Sequence, residues 1–145
     1  MTPVSGDFVE NFEGGAPGWT ANGLWHVADT ISGNTYHLAH SPTRSYWYGQ
    51  DGTGNFDTGL ANAGTLLSPV VSIPVTAVSP SLDFWTWYQT ESGTTYDQKI
   101  IRISVDGGPM TVLAQLSGDP MSTWVHKQFD LSPYAGSQVQ FQFYF

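Results

Sequence analysis

The sequence predicts an all-β fold, a sandwich of two antiparallel sheets. Apolar residues recur at every second position in several segments, which is the period of a half-buried strand. Gly (16) and Pro (9) interrupt the 145 residues too often for long helices, and no segment keeps an apolar period of 3.6 residues. Turns rich in Gly and Pro separate the alternating segments, as is typical of antiparallel sandwiches.

Alternation is clearest in the segments 81–89, 99–105 and 138–145. In the first of these, Leu82 and Phe84 fall on one face, which we expect to be the core face. In the last, one face is wholly apolar and the other carries three Gln. These three segments are therefore predicted to be core strands.

Residues typical of tight turns indicate how further strands are connected. Asp106-Gly107-Gly108-Pro109 predicts a hairpin between 100–105 and 110–115. The segment 64–73 also reads as a strand, in which Pro69 indicates an edge position or a bulge. There is no linker, repeat or low-complexity tract, so a single domain over residues 1–145 is predicted.

The charge balance restricts the partners. Asp and Glu number 12 against 4 Lys and Arg, and charged residues make up only 11% of the chain. Nucleic acid and anionic membrane surfaces need a basic patch, which four scattered cations do not form. A hard cation is the natural counter-ion for such a surface. No apolar run is long enough for a membrane span, so no membrane insertion is predicted.

The absence of Cys excludes disulfides, zinc–thiolate sites and a Cys nucleophile. The sequence contains no signal peptide, which fits either a cytoplasmic protein or a domain cut from a longer precursor. The aromatic content of 14% with few charges is typical of extracellular β domains and favours the second. We therefore expect a domain taken from a larger secreted protein.

Several short phrases, in their order along the chain, resemble a known family. They include Asn11-Phe12-Glu13-Gly14-Gly15, Ser45-Tyr46-Trp47-Tyr48-Gly49 and Ser104-Val105-Asp106-Gly107-Gly108, together with 17–19, 25–27, 54–59, 64–69, 82–85, 90–91, 96–97 and 129–136. The set resembles the MAM-like jelly-roll domains of bacterial secreted proteins, such as those beside the peptidase of immune inhibitor A-type metalloproteases and the cleaved-adhesin modules of gingipains. The resemblance spans nearly the whole chain and rests on the order of the phrases.

The resemblance implies a jelly-roll β-sandwich with an accessory or adhesin role, and bound calcium in many members. Family members continue beyond the strand like 139–145 into one further strand. The expectation is therefore an exposed sheet edge, which allows a strand-swapped or edge-paired dimer.

Calcium takes six to eight oxygen ligands, supplied by carboxylates, amides and backbone carbonyls. The candidate ligands are Glu13, Asp57, Glu91 and Asp97. Glu13 and Asp97 match acidic positions of the family phrases, and Asp57 lies in a long Gly-rich loop with Asp51 and Asn55. The alternative is that these acids cap turns by accepting backbone N–H bonds.

Two other kinds of site have weaker support. His26, His37 and His40 lie near one another in sequence, but they lack the helix-borne zinc pattern, which favours loop or strand-edge roles. Trp85 and Trp87 share one strand face, and Trp47 lies opposite Tyr46 and Tyr48 on another strand. Exposed rings would bind sugars or protein, whereas buried rings would belong to an inner strand.

Catalytic motifs are missing from the sequence: there is no Gly-x-Ser-x-Gly elbow and no phosphate-binding Gly loop. A carboxylate pair for glycoside cleavage stays open, because such a pair is spatial and not sequential. The sequence thus predicts a non-catalytic, calcium-stabilised accessory or adhesin module of a secreted or cell-surface bacterial protein, such as a metallopeptidase, that binds extracellular protein. A carbohydrate-binding module that uses Trp47, Trp85 or Trp87 is the alternative, and a hydrolase is the third.

Overall fold

The computed structural model describes residues 4–5, 7–29, 39–91 and 93–145, and it confirms the all-β class. The strands of this part are β1 (Val4–Ser5), β2 (Thr20–Ala21), β3 (Trp25–Asp29), β4 (Arg44–Tyr48), β5 (Thr65–Leu67), β6 (Val71–Ser72), β7 (Ser81–Thr86), β8 (Lys99–Val105), β9 (Thr111–Leu116), β10 (Val125–Asp130) and β11 (Gln138–Tyr144). A single 3-10 turn, Ser132–Tyr134, is the helical element of the described residues. None of the described segments forms a helix long and apolar enough to span a membrane.

The large sheet is built around β11. On one side β11 pairs antiparallel with β8 along its whole length, and β9 lies beyond β8. On the other side β11 pairs with β5 and β6, beyond which lie β2 and the parallel strand β1. The strand predicted most clearly from alternation is therefore the central strand of the sheet.

Two smaller antiparallel sheets, β7–β10 and β3–β4, pack against one face of the large sheet. Phe143 of β11 contacts Phe84 of β7, with ring centroids 5.3 Å apart. Tyr48 of β4 contacts Phe145, which follows β11, at 4.7 Å. Phe143 and Phe145 share a face of β11, so the two small sheets form the second layer of a sandwich.

The core lies between these layers. Ile103, Val139 and Phe141 are buried on the inner face of the large sheet, and Leu82 of β7 packs against them from the other layer. The alternation predicted for 81–89 is confirmed over β7, which ends at Thr86: Leu82 and Phe84 are half-buried, whereas Asp83 and Trp85 are exposed.

The predicted hairpin between β8 and β9 is present. Asp106 and Gly107 both have positive φ, +51° and +76°, as a two-residue primed turn requires. The Gly108 N–H donates to the Val105 carbonyl at 2.9 Å and closes the turn.

The segment 64–73 follows one of the two alternatives predicted for Pro69, the bulge, because between the pairs Leu67–Gln142 and Val71–Val139 it advances four residues while β11 advances three. It forms two short strands, β5 and β6, with Pro69 in the break between them. It is not an edge, since each strand pairs on both sides. The buried Ser68 bridges the break, because its Oγ accepts the Phe141 N–H at 2.9 Å and donates to the Pro69 carbonyl at 2.7 Å.

Candidate functional site

The four predicted calcium ligands lie in three different loops. Glu13 precedes β2, Asp57 lies between β4 and β5, and Glu91 and Asp97 lie between β7 and β8. Over the described ranges, no three His, Asp or Glu side chains come close enough to hold a metal ion. The described carboxylates therefore do not fit a calcium site by themselves, and calcium binding stays a prediction.

Glu13 fastens its loop to the start of β4. Its Oε1 accepts the backbone N–H groups of Thr43 (2.9 Å) and Arg44 (2.8 Å), and its Oε2 accepts the Thr43 hydroxyl. Arg44 Nη1 in turn donates a hydrogen bond to the backbone carbonyl of Glu13 at 3.0 Å. The hydrogen bonds from the Thr43 hydroxyl and amide hold the pKa of Glu13 below its usual value, with smaller contributions from Arg44. Both carboxylate oxygens are thus used by the protein itself.

Replacing this carboxylate should cost stability in a pH-dependent way. A lowered folded-state pKa contributes stability above the unfolded value of 4.5, and that contribution is lost as the pH falls through the folded pKa. We expect Glu13→Gln to lower the melting temperature by about 5 °C at pH 7. The side-chain NH₂ of Gln would replace one carboxylate oxygen and face N–H or O–H donors of Thr43 and Arg44, with which it cannot pair as an acceptor. Melting curves of wild type and variant from pH 7 to 2.5 should converge on acidification.

The exposed carboxylate of Glu91 provides the control. Glu91→Gln in the same buffers should melt within about 1 °C of wild type, because exposed substitutions seldom matter. A difference between wild type and Glu13→Gln that stays constant down to pH 2.5 would contradict the assigned role of the Glu13 carboxylate.

The Asp57 loop is held by turns of the kind that the alternative interpretation expected. Asp57 Oδ1 accepts the Gly59 N–H at 2.8 Å, and Asn55 Oδ1 accepts the Asp57 N–H at 3.0 Å. Asp51 Oδ1 lies within hydrogen-bond distance of His26 Nε2, at 2.9 Å. These side chains satisfy their own loop backbone and a neighbouring strand, as Asx turns do.

The loop between β7 and β8 encloses a cation that the protein itself supplies. Asp97 Oδ2 accepts the Glu91 N–H at 3.1 Å, which closes the loop. Lys99 Nζ donates to Thr90 Oγ1 (2.8 Å), to the Asp97 carbonyl (2.8 Å) and to the Glu91 carbonyl (3.3 Å). The backbone oxygens of two predicted calcium ligands thus point at an ammonium group.

The aromatic candidates differ in exposure. Trp85 is 47% exposed on the outer face of β7, opposite the core residues Leu82 and Phe84. Trp47 is half-buried, and its indole ring folds over Gly49, where an added Cβ would lie 2.2 Å from the ring. Trp87 is half-buried just beyond the end of β7. Trp85 is therefore the candidate that best presents a ring to solvent.

Trp85 is the centre of a surface group of four rings and one carboxylate. We call it the Trp85 cluster, and its members are Trp85, His40, Trp124, His126 and Asp83. The His40 ring stacks on the Trp85 ring, with centroids 4.0 Å apart and planes 12° apart. His126 is the cross-strand partner of Trp85 on β10, with its ring 5.2 Å away. Trp124 contacts His40 edge-on at 5.7 Å, and His126 Nε2 lies 3.2 Å from Asp83 Oδ1.

The sequence did not indicate that the other members of this cluster lie beside Trp85. The register that places His126 opposite Trp85 is a long-range property, and no local pattern gives it. His40 belongs to the predicted histidine group, but it stacks on Trp85, whereas His26 contacts Asp51 and the Leu24 carbonyl. His37 lies outside the described residues.

The fold is similar to that of a cleaved adhesin domain. The solved structure is the K1 cleaved adhesin domain of Lys-gingipain (Kgp) from Porphyromonas gingivalis W83, with a TM-score of 0.54 and 19% sequence identity. The similarity covers 93% of this chain and 90% of that domain. No known protein family matches the sequence, and no curated protein sequence matches it significantly. The likeness supports the adhesin-like β fold, while the finer MAM-like jelly-roll assignment stays a prediction.

Two open grooves lie on the described surface. One, of about 310 Å³, is lined by Ser79, Pro80, Ser81, Gln128 and Asp130. Hydrogen bonds from the Ser132 hydroxyl and amide hold the pKa of Asp130 below its usual value, which is the wrong direction for a general acid. Two glutamates accept hydrogen bonds from the backbone: Glu10 accepts the Phe12 N–H at 2.7 Å, and Glu13 accepts those of Thr43 and Arg44.

Proposed function

We propose that this chain is a non-catalytic, adhesin-like accessory module of a secreted or cell-surface protein, and that it binds an extracellular protein. The observation that carries the proposal is the likeness to the cleaved adhesin domain, which extends over 93% of the chain. The composition supports it, because a surface rich in neutral polar and aromatic side chains suits extracellular recognition better than nucleic-acid or membrane binding.

The Trp85 cluster is the contact surface of this proposal. Partly exposed Trp residues contribute much of the binding energy at protein interfaces, because they desolvate a large rigid area. The stack with His40 and the contact with His126 hold the ring of Trp85 in one orientation before a partner arrives. A ring held in place loses less conformational entropy on binding than a freely rotating one.

The partner is expected to carry positive charge around an apolar patch. The chain has a formal net charge of −8, and Asp83 contributes a carboxylate to the cluster. Complementary charge around an apolar contact raises the association rate and excludes acidic partners. Binding should therefore weaken as the salt concentration is raised.

Binding of the purified domain to immobilised extracellular-matrix proteins tests the proposal. We expect Trp85→Ser to weaken the best interaction at least 10-fold, since loss of a central interface Trp costs about 2 kcal/mol or more. Val112→Ser is the matched control, because Val112 is 64% exposed but lies on β9 in the other layer. A domain that binds no member of the panel, or equal losses in the two variants, would contradict the proposal.

Carbohydrate binding is the second candidate, and the exposed ring of Trp85 is the observation in its favour. A sugar stacks on an open ring face, whereas His40 already covers one face of Trp85. In a glycan array, His40→Ala would uncover that face and should strengthen sugar binding. In the protein-binding proposal, the same variant should weaken binding, since it removes the support of the ring.

A further inference from the structure

We propose that the ammonium group of Lys99 is the built-in structural cation of the loop between β7 and β8, and that it fills the place for which the sequence predicts calcium. The proposal concerns how this end of the domain is ordered and does not depend on the proposed function. It rests on the oxygen atoms that converge on the ammonium group, on the burial of Lys99 and on an aromatic ring beside it.

The donors and acceptors match in number. An ammonium group has three N–H donors, and among the described residues three oxygen atoms lie within hydrogen-bond distance of Nζ: Thr90 Oγ1 at 2.8 Å, the Asp97 carbonyl at 2.8 Å and the Glu91 carbonyl at 3.3 Å. Asp97 has a φ of +46°, a left-handed conformation that Asp adopts more readily than most residues. The described parts of the loop, 90–91 and 93–98, are therefore folded around the charge.

The position of Lys99 is unusual for a lysine. It is the first residue of β8 and only 7% exposed, whereas most lysines are exposed. Its Nζ lies 4.7 Å from the centre of the Tyr88 ring, within the range of a cation–π contact. Burial lowers the pKa of Lys99, and the carboxylates of Asp97 and Asp119 oppose that shift. The oxygens and the ring thus offset the desolvation of the charge.

A calcium ion and this ammonium group exclude each other. A calcium ion held by the same carbonyl oxygens would lie within about 5 Å of Nζ, and like charges at that distance repel strongly in a partly buried site. Calcium also needs six to eight oxygens, while the oxygens here are oriented toward a group that takes three. The loop 90–98 should accordingly keep its order without metal.

Hydrogen exchange of the amides in loop 90–98 tests the proposal in the intact domain. We expect Lys99→Met, which keeps an unbranched side chain only one atom shorter and removes the charge, to speed exchange in this loop at least 10-fold at pH 7. Thr90→Val removes one acceptor and should speed exchange about 3-fold. Thr94→Val is the matched control, because Thr94 is exposed in the same loop, and it should exchange as wild type does.

Measuring the same exchange with and without calcium shows whether the ammonium group or a metal ion orders the loop. Wild-type exchange in loop 90–98 should be the same in EDTA and in 5 mM calcium chloride. A slower exchange in calcium would overturn the proposal, because a metal would then be ordering the loop. Unchanged exchange in Lys99→Met would overturn it as well. Should Lys99→Met fail to fold, equal rates in Thr90→Val and Thr94→Val would decide against it.

Discussion

Replacing Phe141 by Ala is expected to lower the free energy of unfolding by about 3–5 kcal/mol, the usual cost of truncating a buried aromatic ring. Phe141 is 6% exposed at the middle of β11, where it packs with Ile103 and Val139 between the two layers. The strands β8 and β5 lie on either side of β11 and leave little room for collapse into the cavity. Urea denaturation followed by Trp fluorescence measures the change.

Gln138→Ala on the same strand is the control. Gln138 is exposed at the start of β11, so its truncation should change the free energy of unfolding by less than about 0.5 kcal/mol. A loss below 1 kcal/mol for Phe141→Ala would show that the apolar face of β11 is not the centre of the core. The assignment of the two layers would then fail with it.

The sequence was sufficient for the strands whose two faces differ. In 138–145 the apolar and Gln positions alternate without a break, because one face of β11 is buried and the other is polar. The Asp106–Gly107 turn was equally predictable, since few residue pairs adopt positive φ at two successive positions. Alternation and turn chemistry are local properties, so a short segment of sequence is enough to predict both.

Pairing between distant strands was not predictable in this way. The segment 64–73 contains a Pro, which predicted either an edge or a bulge without deciding between them. Both of its strands are interior, and at the bulge Ser68 supplies the hydrogen bonds that the break disrupts. Nothing local in the sequence relates Ser68 to Phe141, 73 positions away. Such contacts are decided by the register between strands, which the fold as a whole fixes.

The candidate sites show the same division. Alternation correctly placed Trp85 on the face opposite the core, but only the register of β7 and β10 brings His126 beside it. The acids of the loop between β7 and β8 predict calcium because carboxylates are calcium ligands, and this stays a prediction. Two backbone carbonyls of that loop accept hydrogen bonds from Lys99, and no residue type in the sequence indicates where a backbone carbonyl will point.

Replacing Gly64 by Ala is the second substitution expected to cost much, about 1–3 kcal/mol, as overpacking does. A Cβ at this position would lie 2.6 Å from the Asn22 carbonyl oxygen, 2.8 Å from the Tyr48 ring and 3.1 Å from the Gly23 Cα. Two of these neighbours are backbone atoms and cannot rotate away. Differential scanning calorimetry of wild type and variant measures the loss.

The chain around Gly64 cannot easily move to relieve the clash. Gly64 exchanges two backbone hydrogen bonds with Phe145, at 2.7 and 3.0 Å, and the next residue accepts the Asn22 N–H at 3.0 Å. Gly52→Ala is the matched control, because a Cβ there meets nothing within 4 Å, and it should leave stability within about 0.5 kcal/mol of wild type. Equal stability of the two variants would mean that the β2–β3 turn can separate from the start of β5. In that case the close approach of Gly23 and Gly64 would not hold the β3–β4 sheet against the large one.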